Sequence, residues 1–334
     1  MIKVIPAFQY NLSNDVHSSE FPVYYFESYS EFIKKTQGKD IILLHHTELN
    51  ATAVFRIRKN QFWNFAQLIH APLKFEKKLS VEEEAIYFKD AIAYLRDIFK
   101  IDKIEQGDVL GFTKFKPNNA LHSKYGSYQI DLNQTPENIL SNFNPKFARD
   151  VRHAEKQELT FKTGLNLLDD FYSVYNLTSK HTGMYTDSKE YFRDAMSVYG
   201  EKHCDFAVAY DRTIPIGALF MLKTQYKVCI THTGTDRNSN IHGAIRWLHY
   251  KNIIHSINQN TKHYDFMGVR INSKNEKLKG IFDFKKGFGG ELDQGYLWKL
   301  TLRPFHMLPF NIIRKSKNIL LGNQFEDIID QEIK

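Results

Sequence analysis

The chain has 334 residues, 42% of them hydrophobic and 25% charged, which excludes a disordered or fibrous chain and suits two packed domains better than one. Lys and Arg outnumber Asp and Glu by 45 to 38, for a net charge of +7; the excess favours polyanionic partners (nucleic acid, phosphorylated precursors, an anionic membrane) without choosing among them. The only cysteines, Cys204 and Cys229, exclude a disulfide scaffold and a cysteine-rich metal site.

No stretch approaches the ~20 apolar residues that a membrane span needs. The start, MIKVIPAFQYNL, carries neither a long apolar core nor a small-residue cleavage pattern. A soluble cytoplasmic protein is the expectation.

In chain order, VYYF (23–26) and DIILLHH (40–46) read as strands around a short helix, with Ser28 and Glu31 as a capping box and Gly38 as the stop. TAVFRIR (52–58) alternates as a strand. Ser80 and Glu83 form a second capping box, and the helix after it carries Ala85, Phe88, Ile92, Leu95 and Phe99 as one apolar stripe. GDVLGFTKF (107–115) reads as a strand and KPNNALHSKYG (116–126) as a connecting loop, with a domain boundary near residue 120.

SYQIDL (127–132) is the next strand. Thr135-Pro136 and Asn144-Pro145 then each supply a helix N-cap and a first-turn proline, the second for a helix over 145–158. Helices follow near 167–181 and, capped by Asp187 with Glu190, near 188–199. Three successive strands (204–211, 216–224 and 226–234) lead to a helix over 241–256, a strand at 263–269, a short helix and a last strand pair within 289–303. This is an α+β layout with a mixed sheet. The predicted units are an N-terminal domain, 1–120, a C-terminal domain, 121–303, and a tail, 304–334.

Several chemistries have no motif. There is no G-x-G-x-x-G, no Walker loop, no H-E-x-x-H and no G-x-S-x-G. No cofactor and no metal are expected. His45 and His46 alternate faces at a strand end, which suits structural roles.

Two stretches carry more. On the helix near 145–156, Phe143, Phe147, Val151 and Ala154 share one face, while Lys146, Arg149, Arg152, His153 and Lys156 share the other. That basic face is either solvated or a phosphate-binding wall, for which Arg forks are suited. Residues 280–290, GIFDFKKGFGG, set Lys285 and Lys286 between Phe284 and Phe288, before Gly289 and Gly290. A lysine desolvated between rings acts strongly on a nearby oxyanion or phosphate, and glycines let backbone approach a ligand. A glycine turn with two solvated lysines is the alternative.

These residues resemble the FemABX peptidyltransferases. RDVRHA (149–154) is similar, offset by one residue, to the family's basic helix R-x-x-I-R-x-A. YDFMG (264–268) matches Y-D-F-x-G, and FKKGFG (284–289) matches F-K-x-x-F-G, the most specific of the three. KHTGMYTDSKEYFRD (180–194) is similar to the segment between the family's helices. The resemblance covers 125–302; residues 1–120 match only in length and layout.

The resemblance implies an α+β fold of two GNAT-like domains, each a mixed, largely antiparallel sheet flanked by helices, the first domain cut down. It implies an acyltransferase that moves an aminoacyl group from aminoacyl-tRNA to an amine of a peptidoglycan or envelope precursor. Lys285 would stabilise the tetrahedral oxyanion, and Lys146, Arg149, Arg152, Phe284, Phe288 and Gly289 would contact substrate. With no Ser–His or Cys–His pair standing out, direct attack is favoured over an acyl-enzyme. Asp265 and His232 lie near the predicted sheet end and read as structural.

Two alternatives stay open: an acyl-CoA-dependent N-acyltransferase acting on an amino sugar or amine, and a silent nucleic-acid-binding or scaffold protein. TDRNSNIHGAIRW (235–247) has only Gly243, where a CoA pyrophosphate loop usually needs several glycines. The long helical arm that some relatives associate with tRNA is missing. The tail segment 305–321 reads as apolar packing, with weak, salt-sensitive contact to an anionic membrane as its further use. Pro304 and Pro309 are expected to interrupt any helix there.

Overall fold

The computed structural model describes residues 1–8, 19–74, 77–182, 186–271, 273–321 and 326–333. Part of the family-like stretch 180–194, at 183–185, lies outside them.

The strands are β1 (Ile2–Ile5), β2 (Asp40–His46), β3 (Ala51–Lys59), β4 (Asn64–Lys74), β5 (Lys77–Lys78), β6 (Lys103–Glu105), β7 (Leu121–Asp131), β8 (Thr160–Thr163), β9 (Cys204–Asp211), β10 (Ile214–Lys223), β11 (Lys227–Thr235), β12 (His263–Arg270) and β13 (Glu291–Thr301). They form one 13-stranded sheet in the order β1-β2-β3-β4-β6-β13-β7-β12-β11-β10-β9-β8, with β5 beside β4. Among the named strands of the described residues, β4–β6 and β11–β12 are the pairs that run parallel. β13 pairs β7 along Glu291–Lys299 and β6 at Leu300–Thr301, so one strand joins the two halves.

The helices are α1 (Glu27–Gln37), α2 (Val81–Asp97), α3 (Pro136–Asn142), α4 (Pro145–Glu155), α5 (Leu168–Thr182), α6 (Lys189–His203), α7 (Ala244–Asn258), α8 (Glu276–Lys286), α9 (Leu308–Leu321) and α10 (Ile328–Glu332). Their starts show why these residues fold this way. Ser80 and Glu83 close a reciprocal capping box on α2. Thr135 and Asn144 cap α3 and α4 ahead of first-turn prolines. α5 and α6 pack on the face of the sheet that also meets α1, burying Phe32, Phe171, Phe192 and Phe220 in one core. α4 and α7 cover the other face of the C-terminal half.

The structure corrects several expectations. VYYF is not a strand: Val23–Tyr25 is a buried 3-10 turn, and α1 is capped at Phe26 rather than Ser28. Gly38 does stop α1, at φ 62°. The buried stripe of α2 is Tyr87, Phe88, Ala91 and Leu95, with Ala85, Ile92 and Phe99 half-buried. Residues 107–115 form no named strand, because Gly107 and Gly111 fold them into a tight turn: a Cβ on Gly111 would lie 2.1 Å from the Leu68 carbonyl. Part of the expected connecting loop belongs to β7. α6 is capped by Ser188, leaving Asp187 to another partner. One strand, β13, replaces the expected last pair.

The tail also differs from expectation. α9 runs unbroken from Leu308, since Pro309 sits in the first turn where its missing N–H leaves no bond unmade. Buried Lys299 of β13 is held by Asp327 and Asp330, and Arg270 pairs with Glu332, so the segment around α10 is docked to the sheet. No helix among the described residues is long and apolar enough to cross a membrane.

Candidate active site

The site begins where two parallel strands part. β11 and β12 pair only at Lys227–His263, Val228–Tyr264 and Cys229–Asp265. Past that point Ile230, Thr231 and Thr233 on one strand and Phe266, Met267 and Gly268 on the other line a cleft of about 1010 Å³. Its far wall comes from the N-terminal half: Tyr24, Tyr29, Arg56 and Asp108.

A buried ion pair sets the geometry of the split. Asp265 is 0% exposed; Lys227 Nζ donates to it at 3.0 Å, the Met267 N–H at 2.8 Å, and the Ser127 hydroxyl also donates. Burial would raise the Asp265 pKa, but Lys227, with the Ser127 and Met267 bonds, holds it below the ordinary carboxylate range. Burial likewise disfavours the Lys227 charge, and Asp265 more than offsets this, raising its pKa. The Asp265–Met267 bond closes a bulge: Met267 adopts φ 63°, and the register against β7 shifts between Asp265 and Gly268. Gly268 has no room for a side chain, since a Cβ would lie 2.1 Å from the Tyr125 hydroxyl.

Into that bulge points Lys285, from the last turn of α8. Its Nζ donates to the Met267 and Gly268 carbonyls, both at 3.0 Å. Two of the three ammonium hydrogens are thus used, and the group borders the cleft. Burial pulls its pKa down to about 8, partly countered by Asp265. His249 behind it is driven down to about 3, chiefly by burial and then by Lys285, so it is a neutral packing partner.

The residues singled out in the sequence separate in space. Phe284 lines the cleft beside Lys285. Phe288 is 1% exposed, stacks on Phe266 at 4.6 Å and is not among the residues lining the cleft. Gly289 turns at φ 68° against the Asn142 carbonyl, a packing requirement. Lys286 is exposed. Lys146, Arg149 and Arg152 are exposed on α4, and none is among the residues lining the cleft. The apolar side of α4 is buried as expected, Phe147 packing on Phe284 and Phe288.

Sequence reasoning missed Asp108, Thr231 and Thr233. Asp108 lies in the 107–115 turn that read as a strand. The threonines look like ordinary strand residues until β12 leaves their side.

A mixed, largely antiparallel sheet that opens at a parallel strand pair, with helices on both faces and a cleft at the opening, is the α+β architecture expected of this chain. The chain belongs to the FemAB family: the family model matches residues 118–212 and 205–295, together more than half of it.

Among solved structures, a crystal structure of FemX superposes with a TM-score of 0.67 at 12% identity, over 88% of this chain and 96% of that one. The C-terminal domain (DUF2156) of a putative lysylphosphatidylglycerol synthetase from Agrobacterium fabrum gives 0.52 at 11% identity, over 94% and 99%. A Bacteroides thetaiotaomicron protein of unknown function gives 0.50 at 10%, over 82% and 89%. At such identities the likeness is one of fold. Among curated proteins, none matches this sequence.

Proposed function

We propose that the cleft transfers an aminoacyl group from aminoacyl-tRNA to an amine of a peptidoglycan or envelope precursor, by direct attack in a ternary complex. The seat of Lys285 is the observation that carries this reading. A half-buried ammonium, fixed by two carbonyls at the edge of a large cleft, is preorganised for an oxyanion. In a site poor in water it acts far more strongly than a solvated lysine. The donor ester carbonyl would sit at the β11–β12 split with its oxygen toward Lys285, and the acceptor amine would approach from the side of the N-terminal half. In this reading residues 1–120 and 121–303 are the two domains that face each other across the cleft. The exposed cations of α4, Lys146, Arg149 and Arg152, would meet the donor's polyanionic body outside it.

One contact speaks against an acyl-CoA donor. The N-terminus of α7 is where a CoA pyrophosphate would need bare amides. Here Asp150 of α4 covers it: a Cβ on Gly243 would lie 2.8 Å from the Asp150 carbonyl oxygen, and Arg246 pairs with the Asp150 carboxylate at 2.6 Å.

The test offers labelled aminoacyl-tRNA and acyl-CoA separately, each with UDP-linked and lipid-linked muropeptide. Transfer from the tRNA is the expected result. Transfer from acyl-CoA alone would overturn the donor assignment.

A further inference from the structure

His232 looked structural in sequence, yet its surroundings are those of a proton carrier. Its Nε2 lies 3.0 Å from the Asp187 carboxylate and its Nδ1 3.0 Å from the Thr231 hydroxyl oxygen. Thr231 in turn borders the cleft that Lys285 borders. The rings of Tyr175, Tyr191, Phe192 and Phe220 enclose the imidazole, with Phe192 at 5.0 Å.

The hydrogen-bond arithmetic is specific. A carboxylate only accepts, so Nε2 carries a hydrogen. In the neutral ring Nδ1 is then a lone pair, and the Thr231 O–H donates to it. In the protonated ring Nδ1 donates to the Thr231 oxygen. The Thr231 O–H then turns to the Phe220 carbonyl, 3.2 Å away. Both protonation states are fully satisfied without moving a heavy atom, and they differ only in where the threonine hydrogen points. A histidine present merely to fill this aromatic nest needs no carboxylate on one side and no hydroxyl of a cleft-lining residue on the other.

We propose that Thr231, His232 and Asp187 form a relay that takes the proton from the acceptor amine; this rests on reading the cleft as an aminoacyl-transfer site. Thr231 is the catalytic residue that touches the acceptor, while His232 and Asp187 act through it. The acceptor enters as an ammonium. One proton passes to the Thr231 oxygen as the hydroxyl passes its own to His232 Nδ1, so Thr231 is never charged. The freed nitrogen lone pair attacks the ester carbonyl, forming the C–N bond and placing the displaced electron pair on the oxygen facing Lys285. On collapse the ester C–O bond breaks, and the leaving tRNA hydroxyl takes the second nitrogen proton. The proton left on His232 returns to solvent.

Among the described residues, the ionisable side chains that face the ring are Asp187 ahead of α6, Tyr191 on α6 and Tyr175 on α5. The relay needs the Nδ1 lone pair of the neutral His232 ring to take the proton. The test compares Thr231→Val, Thr231→Ser and His232→Gln in the full chain, reading kcat and acceptor KM. Thr231→Val and His232→Gln should lower kcat by about 10²–10⁴-fold with KM nearly unchanged. Thr231→Ser should restore most of the rate. Nitrogen-15 NMR of the imidazole, which needs no substrate, should show the neutral tautomer with its hydrogen on Nε2.

A wild-type rate in Thr231→Val, or the Nδ1–H tautomer, overturns the relay and leaves the transfer reading standing. A wild-type chain that transfers nothing from charged tRNA or acyl-CoA overturns both.

Discussion

Burial brings the Lys285 ammonium to about 8, and this fixes the pH behaviour expected of an oxyanion partner. The group helps only while charged, so turnover should fall as the pH rises through that value. Arg keeps its charge to pH ~12 or above, so Lys285→Arg should lose the alkaline limb. It should also be slower, because a planar fork does not fit a seat made for a tetrahedral ammonium between two carbonyls. A kcat profile from neutral to alkaline pH checks this, and an unshifted alkaline limb in Lys285→Arg would count against the assignment. The motif lysine was legible in the sequence; its seat was not. Met267 and Gly268 present their carbonyls only because Asp265 captures the Met267 N–H and closes a bulge, and a strand sequence does not announce that geometry. His232 was hidden for a related reason, since Asp187 stands 45 positions away from it.

At the level of elements, helices with side-chain caps were readable to within a few residues. Ser80–Glu83, Thr135-Pro136 and Asn144-Pro145 settle locally where a chain may start to coil. One strand buried on both faces was not. β4 went unseen because Asn64–Lys74 lies inside the sheet, with burial that does not alternate and a Pro72 that argues against a strand. The 107–115 turn misled in the opposite sense: it has the apolar residues of a strand but folds on its two glycines.

For α4, the pattern of one packed and one basic face was right, and its use is measurable. Replacing Arg149 and Arg152 together with Ala should weaken binding of charged tRNA and reduce the salt slope of log K by about 1.4 to 1.8, the loss of two phosphate contacts. The acceptor KM should stay as it was, since the helix does not line the cleft. An unchanged salt slope would return this face to simple solvation.

Over the whole molecule, one sheet runs through both halves, and the tail closes back upon it. Cutting the chain at Arg303 would strip buried Lys299 of Asp327 and Asp330, so truncation tests stability rather than attachment. Phe305, Leu308 and Ile312 are nonetheless 87%, 55% and 67% exposed, near Lys315 and Lys317. This apolar and basic surface suits an anionic bilayer, where each cation near the headgroups adds about 1 kcal/mol. Weak, salt-sensitive co-sedimentation with anionic vesicles is expected, and Phe305→Ser/Leu308→Ser/Ile312→Ser should abolish it without unfolding the chain. Equal sedimentation of both proteins would make the tail purely structural and favour a soluble acceptor.

Single-turnover transfer reads the chemistry of the cleft directly. Labelled aminoacyl-tRNA and acceptor are mixed with excess enzyme, either wild type or Lys285→Ala, and the acylated product is followed in time. Loss of an oxyanion donor predicts a chemical step slower by about 10²–10³-fold in Lys285→Ala, with Lys286→Ala close to wild type. Equal rates for wild type and Lys285→Ala would contradict it.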